Sequence, residues 1–110
     1  MEKREVRNDP VIQAFLARIS ALRPRLDKVI LFGSRARGDE KPYSDYDILI
    51  VAPEKERGLI DALYDATMEV LYETHRLISL KIYRRADFER LAAIRTPFMR
   101  NVLRDGVPLG

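Results

Sequence analysis

The sequence of 110 residues is long enough for one domain with a single hydrophobic core, and residues 1–110 are expected to form it. Its 20 basic and 17 acidic residues give a net charge of +3, which is too small to require nucleic acid as a partner. The absence of cysteine excludes disulfides and thiolate metal sites. No apolar run reaches the ~20 residues of a membrane span. The charged start, Met1–Arg7, predicts no signal peptide, so a cytoplasmic location is expected.

The first half of the chain predicts one helix and two strands. The helix should begin at Asp9 and Pro10, an N-cap acceptor followed by proline at the first helical position. Apolar residues then recur at helical spacing as far as Leu22. The two apolar runs Val29–Phe32 and Ile48–Val51 have the length and composition of buried strands.

The second half predicts a long helix, a third strand and two shorter helices. The long helix is expected from Glu54 to Thr74 and the strand from Leu77 to Tyr83. Asp87 is predicted to cap a short helix, and the last helix should begin at Thr96 and end at Gly106. This order predicts an α/β (α+β) fold with a small central sheet covered by helices, and it leaves the strand directions open.

One motif joins the two predicted strands: Gly33-Ser34, a ten-residue spacer, then Asp45-Tyr46-Asp47. Gly33 allows a sharp turn and a close approach of backbone to a ligand. Ser34 adds a hydroxyl donor, and the N–H groups of the next turn can hold phosphate oxygens. Because strand side chains alternate, Asp45 and Asp47 should lie on one face, where two carboxylates suit Mg²⁺.

Gly-Ser followed at this spacing by Asp-x-Asp resembles the signature of polymerase-β-like nucleotidyltransferases. The ending Arg100–Leu109 is similar to that of their minimal, antitoxin-type branch, so the resemblance covers nearly the whole chain. It implies the nucleotidyltransferase fold with a mixed sheet, one or two Mg²⁺ ions, and an NTP donor, first of all ATP. It also implies a protein partner of the helical HEPN type, and a homo-oligomer is the other arrangement considered.

The resemblance assigns roles to the motif residues. Asp45 and Asp47 are the expected catalytic residues and metal ligands, and the expected nucleotide-binding residues are Gly33, Ser34, Arg35, Arg37, Tyr43 and Ser44. For the two arginines, a solvated loop charge is an equally good interpretation. Tyr46 should point away from the carboxylates and serve packing.

Active relatives carry a further acid on a later strand, and the third predicted strand contains none. Ser79 and Lys81 share a face of that strand, and either could occupy the expected place. Glu69, Glu73 and Asp87 are candidates for a displaced carboxylate, although a solvated helix charge is the favoured interpretation for each. His75, the only histidine, is best explained by its place at a helix C-terminus.

Three functions are therefore compared. The leading hypothesis is an Mg²⁺-dependent enzyme that transfers an NMP, AMP in the first instance, to a hydroxyl acceptor on a partner protein. The missing third acid motivates a second, a binding module of the same fold that acts as an antitoxin or scaffold without turnover. A nucleic-acid-binding domain would rest only on the modest positive charge and is disfavoured.

Overall fold

The computed structural model describes residues 3–110, with side chains from residue 5 onward, so Met1 and Glu2 of the start segment lie outside it. Six α-helices, one 3₁₀ turn (Arg23–Arg25) and four strands make up this part of the chain. The helices are α1 (Lys3–Asn8), α2 (Pro10–Arg18), α3 (Ser34–Arg37), α4 (Arg57–Thr74), α5 (Arg85–Ile94) and α6 (Pro97–Asp105). The strands are β1 (Lys28–Phe32), β2 (Tyr46–Ala52), β3 (Ile78–Arg84) and β4 (Val107–Pro108). None of the helices in this range is both long and apolar enough to cross a membrane.

The strands form one mixed sheet in the order β3-β2-β1-β4, which confirms the expected fold class. β1 pairs antiparallel with β2 and places Phe32 opposite Asp47, while β2 pairs parallel with β3 and places Asp47 opposite Ser79. The end of β1 and the starts of β2 and β3 therefore meet at one edge of the sheet. The edge strand β4 was not predicted, because two residues are too few to show an alternating pattern.

The first helical region differs from the prediction in two ways. α1 precedes the predicted helix, and α2 ends at Arg18 instead of continuing to Leu22. The chain tightens at Ile19, whose N–H donates to the carbonyls of Ala17 and Phe15. Leu22 still packs against the core from the turn that follows, so the apolar spacing predicted its contact correctly but not its helical conformation.

Two of the three predicted N-cap residues cap a helix in the structure. Asp9 accepts hydrogen bonds from the N–H groups at the start of α2, and Thr96 accepts one from Met99 N at 3.2 Å, as expected. Asp87 as a cap is wrong: α5 begins at Arg85, directly after β3, and Asp87 lies in its first turn. Because no loop separates the two elements, Arg84 takes the N-cap position without a side-chain cap.

Core side chains lie on both faces of the sheet. On one face, Ile48 and Ile50 pack with the apolar sides of α2 and α4. On the other face, Leu49 and Val51 pack with Phe88 of α5 and with α6. Asp47 shares the side of β2 that carries Leu49 and Val51, so it lies at the end of the face that α5 and α6 cover.

Two glycines give a matched test of this packing. A Cβ at Gly106 would overlap the Val102 carbonyl oxygen and lie 2.7 Å from Ile30 Cγ2, whereas a Cβ at Gly58 meets nothing within 4 Å. We expect Gly106→Ala to lower the free energy of unfolding by about 1–3 kcal/mol, a typical overpacking cost. Gly58→Ala in α4 should raise it by up to about 1 kcal/mol. Urea unfolding measures both, and equal effects would contradict the packing described for β1 and α6.

Candidate active site

A sharp turn at Gly33 connects β1 to α3. Gly33 has φ 76° and ψ −157°, a region that strongly favours glycine. Its carbonyl accepts hydrogen bonds from the N–H groups of Ala36 and Arg37, both at 3.1 Å, which close the short α3 turn. A Cβ at position 33 would overlap Oδ2 of Asp47. The backbone of the turn therefore lies directly against this carboxylate.

Two carboxylates flank Tyr46 beside the turn. Asp45 is exposed just before β2, and Asp47 is half-buried within it. Neither carboxylate makes a hydrogen bond or ion pair with another described residue. Burial raises the pKa of Asp47, the negative charge of Asp45 raises it further, and the charges of Lys81 and Arg37 lower it. The pair thus carries negative charge that the surrounding protein compensates only in part.

This donor set fits a hard cation with oxygen ligands. Asp45 and Asp47 supply carboxylates that no other described residue pairs with, and the absence of a Cβ at Gly33 lets the backbone lie against Asp47. Mg²⁺ usually takes one or two protein carboxylates and completes its shell with water and phosphate oxygens. No group of three or more His, Cys, Asp or Glu placed to hold a metal occurs among the described residues. The aspartate pair would therefore supply two protein ligands.

The predicted third position lies next to this pair. Ser79 of β3 stands opposite Asp47 in the parallel register and is half-buried. Lys81, two residues further along the same face, is exposed, and its charge reaches Asp47 strongly enough to lower the pKa of that carboxyl. The structure thus brings both predicted side chains to the site, as a hydroxyl and a cation where an acid was expected.

Other acids proposed for that place lie elsewhere. Glu69 and Glu73 point from α4 to an ion pair with Arg18 of α2, across the sheet from the carboxylate pair. Asp87 sits at the far end of β3, where it pairs with Arg84 of that strand and with Arg90 of α5. None of the three candidates for a displaced carboxylate reaches the aspartate pair: the sheet separates Glu69 and Glu73 from it, and Asp87 lies at the far end of β3. The favoured interpretation, a helix charge outside the site, fits all three. His75 caps the C-terminus of α4, the position assigned to it.

A set of buried contacts, called the clamp here, fixes the start of β2 from the side opposite to the carboxylates; it consists of Arg35, Ser44, Tyr46 and Asp9. Arg35 is 6% exposed, and its Nε and Nη2 donate to the Ser44 carbonyl at 3.0 and 2.9 Å. Its guanidinium lies 4.0 Å from the ring centroid of Tyr46. The Tyr46 hydroxyl donates to Asp9 Oδ2 at 2.7 Å, and burial together with this bond raises the pKa of Tyr46 to about 12. These contacts fix the backbone on both sides of Asp45.

Sequence reasoning missed the role of Asp9 in this clamp and gave Arg35 a different one. Arg35 was expected either beside phosphate or as a solvated loop charge. Its burial shows that the second expectation is wrong, and its contacts are those of a residue that holds the loop. A signal for Asp9 was present: Tyr46 alternates away from the carboxylates, and a buried tyrosine hydroxyl needs a partner. Which residue would supply that partner depends on the packing of α2 against the sheet, which the sequence does not reveal.

The remaining predicted residues line the loop and the mouth of the site. Arg37 is exposed, with its Nε 3.2 Å from Asp39. Tyr43 is 88% exposed, and Arg76 lies 5.6 Å from its ring centroid. Ser44 Oγ accepts from the backbone N–H of Lys41 at 2.8 Å, so its side chain shapes the loop.

A cleft of about 180 Å³ adjoins the Gly33 turn. Phe32 and Phe98 form one wall in an edge-to-face pair, with ring centroids 5.4 Å apart. Asn101 and Asp105 of α6 add polar groups, and hydrogen bonds from Arg104 lower the pKa of Asp105. These α6 residues were not predicted as part of the site, because only the fold brings the end of the chain beside β1.

The amino-acid sequence is similar to those of known proteins. A family model described as a nucleotidyltransferase domain matches residues 12–102. A Methanocaldococcus jannaschii protein named "Putative protein adenylyltransferase MJ0604" is 36% identical over 93 residues, which cover 79% of this chain and 81% of that protein. A second protein of this name from the same organism, MJ0141, is 51% identical over 45 residues, which cover 40% of this chain and 46% of that protein.

Solved structures of low sequence identity share the fold. A toxin–antitoxin complex crystallised with AMP-PNP aligns with TM-score 0.62 at 19% identity, covering 89% of this chain and 71% of that one. A complex of a tri-AMPylated Shewanella oneidensis HEPN toxin with its MNT antitoxin aligns with TM-score 0.52 at 19% identity, covering 91% and 71%. The family match spans most of the sequence and includes every residue of the motif. The chain belongs to the nucleotidyltransferase domain family.

Proposed function

We propose that the chain binds a nucleoside triphosphate with Mg²⁺ and transfers an NMP, AMP from ATP in the first instance, to a hydroxyl group of an acceptor. The observation that carries this proposal is the contact between the Gly33 turn and the Asp47 carboxylate. It joins a backbone suited to phosphate with side chains suited to a metal ion. The names of the relatives support adenylyl as the transferred group.

Each residue of the site would have a distinct task. Ser34 Oγ and the backbone N–H groups of the turn would hold the triphosphate, with Arg37 at its mouth. Asp45 and Asp47 would hold Mg²⁺, which when bound neutralises phosphate charge and stabilises the attacking and leaving oxygens. The acceptor oxygen bonds to the α-phosphorus as the bond from that phosphorus to the bridging oxygen breaks. Pyrophosphate leaves, and the hydroxyl proton passes to solvent.

The acceptor that we propose is a hydroxyl on a helical partner protein of the HEPN type. Support comes from the fold neighbours, one of which is a complex containing an AMPylated HEPN toxin. The exposure of Asp45 and Tyr43 supports this choice as well, because it leaves the rim of the site open to a large acceptor.

A second candidate function rests on β3. Ser79 and Lys81 stand beside Asp47 where an acid was expected, and a cation there opposes metal binding. The chain would then bind and neutralise its partner without turnover. This alternative predicts that Asp45→Ala combined with Asp47→Ala leaves complex formation and suppression of the partner unchanged, which co-purification and a growth assay would measure.

Nucleotidyl transfer tests the leading proposal. Incubation with Mg²⁺, α-labelled ATP and the HEPN-type partner should label the partner. Asp45→Asn and Asp47→Asn should each reduce this labelling at least about 100-fold, because each removes a carboxylate needed for charge neutralisation. Asp65→Asn, an exposed change on α4, should leave it within about two-fold. Equal labelling by all variants, or no transfer from any of the four NTPs, would refute transfer at this site.

Gly33→Ala tests the turn itself. The substitution places a Cβ against Asp47 Oδ2 and forces a non-glycine residue to φ 76°. We expect a loss of stability of about 1–3 kcal/mol and at least about 100-fold weaker transfer. Gly58→Ala is the matched control and should keep full activity. Wild-type binding of an ATP analogue by Gly33→Ala, measured by calorimetry, would contradict the proposed phosphate turn.

The raised pKa of Asp47 predicts a pH-dependent stability effect. Because the folded state disfavours the charged carboxylate, folding loses stability as pH rises from below the unfolded pKa, about 3.9, through the higher folded pKa. Asp47→Asn should therefore raise the free energy of unfolding at pH 7 and leave it unchanged near pH 3. Urea unfolding at both pH values measures this. If Asp47→Asn instead lowers the free energy of unfolding at pH 7, the charged Asp47 carboxylate does not destabilise the folded state.

A further inference from the structure

Two exposed surfaces combine large apolar side chains with charges of opposite sign. The first, the acidic stripe, consists of Tyr64, Met68 and Tyr72 with Asp61 and Asp65 on α4. The three apolar residues are four apart and therefore share one face of the helix, and they are 48%, 48% and 79% exposed. Asp61 reaches only Arg57 at 4.0 Å, and Asp65 makes no ion pair with the described residues.

The second surface, the basic groove, lies between α5 and α6. It has a volume of about 450 Å³, and it carries Arg95, Arg100, Leu103 and Arg104, with Ile94 at the adjoining end of α5. Ile94 and Leu103 are 62% and 56% exposed. Arg95 and Arg100 make no ion pair with residues of the described range. The groove therefore presents apolar area flanked by uncompensated positive charge, the complement of the acidic stripe.

The two surfaces cannot meet within one chain. α4 packs on one face of the sheet, and α5 and α6 pack on the other. A pair of acidic stripes, or a pair of basic grooves, would bring like charges together. A contact between the stripe of one copy and the groove of another instead pairs opposite charges and covers the exposed apolar side chains of both.

We propose that the chain associates head to tail, with the acidic stripe of one copy docked in the basic groove of a second copy. Because the two surfaces differ and lie on opposite sides of the sheet, each added copy leaves one of each exposed, so association continues beyond a dimer. Arg104 of the groove donates hydrogen bonds to Asn101 and Asp105, which line the cleft beside Gly33. The contact therefore adjoins the candidate active site, although the proposal does not depend on its activity.

Sedimentation velocity of the full chain tests the association, without nucleotide or partner. The weight-average sedimentation coefficient of the wild type should rise between about 10 µM and 1 mM, as for a small, partly polar interface. It should fall towards the monomer value at about 0.5 M salt. Met68→Lys and Leu103→Asp should each remain monomeric, because each places a repelling charge in one surface. Lys28→Asp, an exposed change outside both surfaces, should behave as the wild type.

Mixing the two variants separates this proposal from its rivals. A 1:1 mixture of Met68→Lys and Leu103→Asp should associate again, because the first retains an intact groove and the second an intact stripe. A symmetric dimer built on one surface would be weakened by only one of the two substitutions, and that result would overturn the proposal. A wild type that stays monomeric to about 1 mM, or association that neither substitution weakens, would overturn it as well.

Discussion

The close approach of the Gly33 backbone to the Asp47 carboxylate is the constraint on which the site depends. It exists because β1 and β2 are antiparallel and Phe32 stands opposite Asp47, so the end of one strand meets the start of the next. Any side chain at position 33 would overlap the carboxylate, and the turn uses a φ that favours glycine. Two segments separated by a ten-residue loop are thereby held in contact, one supplying backbone donors and the other negative charge.

Strand alternation lets β2 serve two purposes at the same place. Asp45 and Asp47 point to the open end of one face, while Tyr46 between them points to the other and is 4% exposed. Its hydroxyl bonds to Asp9, which also caps α2, and its ring lies under Arg35, which holds the loop at Ser44. The carboxylates are thus positioned by a residue that faces away from them. The repulsion between the two carboxylates destabilises the folded state, and the contacts of Tyr46 hold them in place despite it. A bound cation would reduce this repulsion.

Much of this arrangement follows from the sequence. The three longer strands and the caps at Asp9 and Thr96 rest on local rules of spacing and hydrogen bonding, and the structure confirms each of them. The binding roles of the motif residues stay predictions. The mixed strand directions came from the family resemblance. What escaped prediction depends on contacts between distant segments: the two-residue β4, the partner of Tyr46, and the α6 side chains beside Gly33. Local pattern carries no information about such neighbours.

We propose that one site holds a metal ion and a triphosphate together, and a crystal structure with Mg²⁺ and a non-hydrolysable ATP analogue tests this most directly. We expect phosphate oxygens on the backbone of Gly33 and on Ser34, and metal density at Asp45 and Asp47, beside Ser79 and Lys81. Nucleotide bound away from the Gly33 turn, or bound there with both carboxylates free of metal, would contradict it.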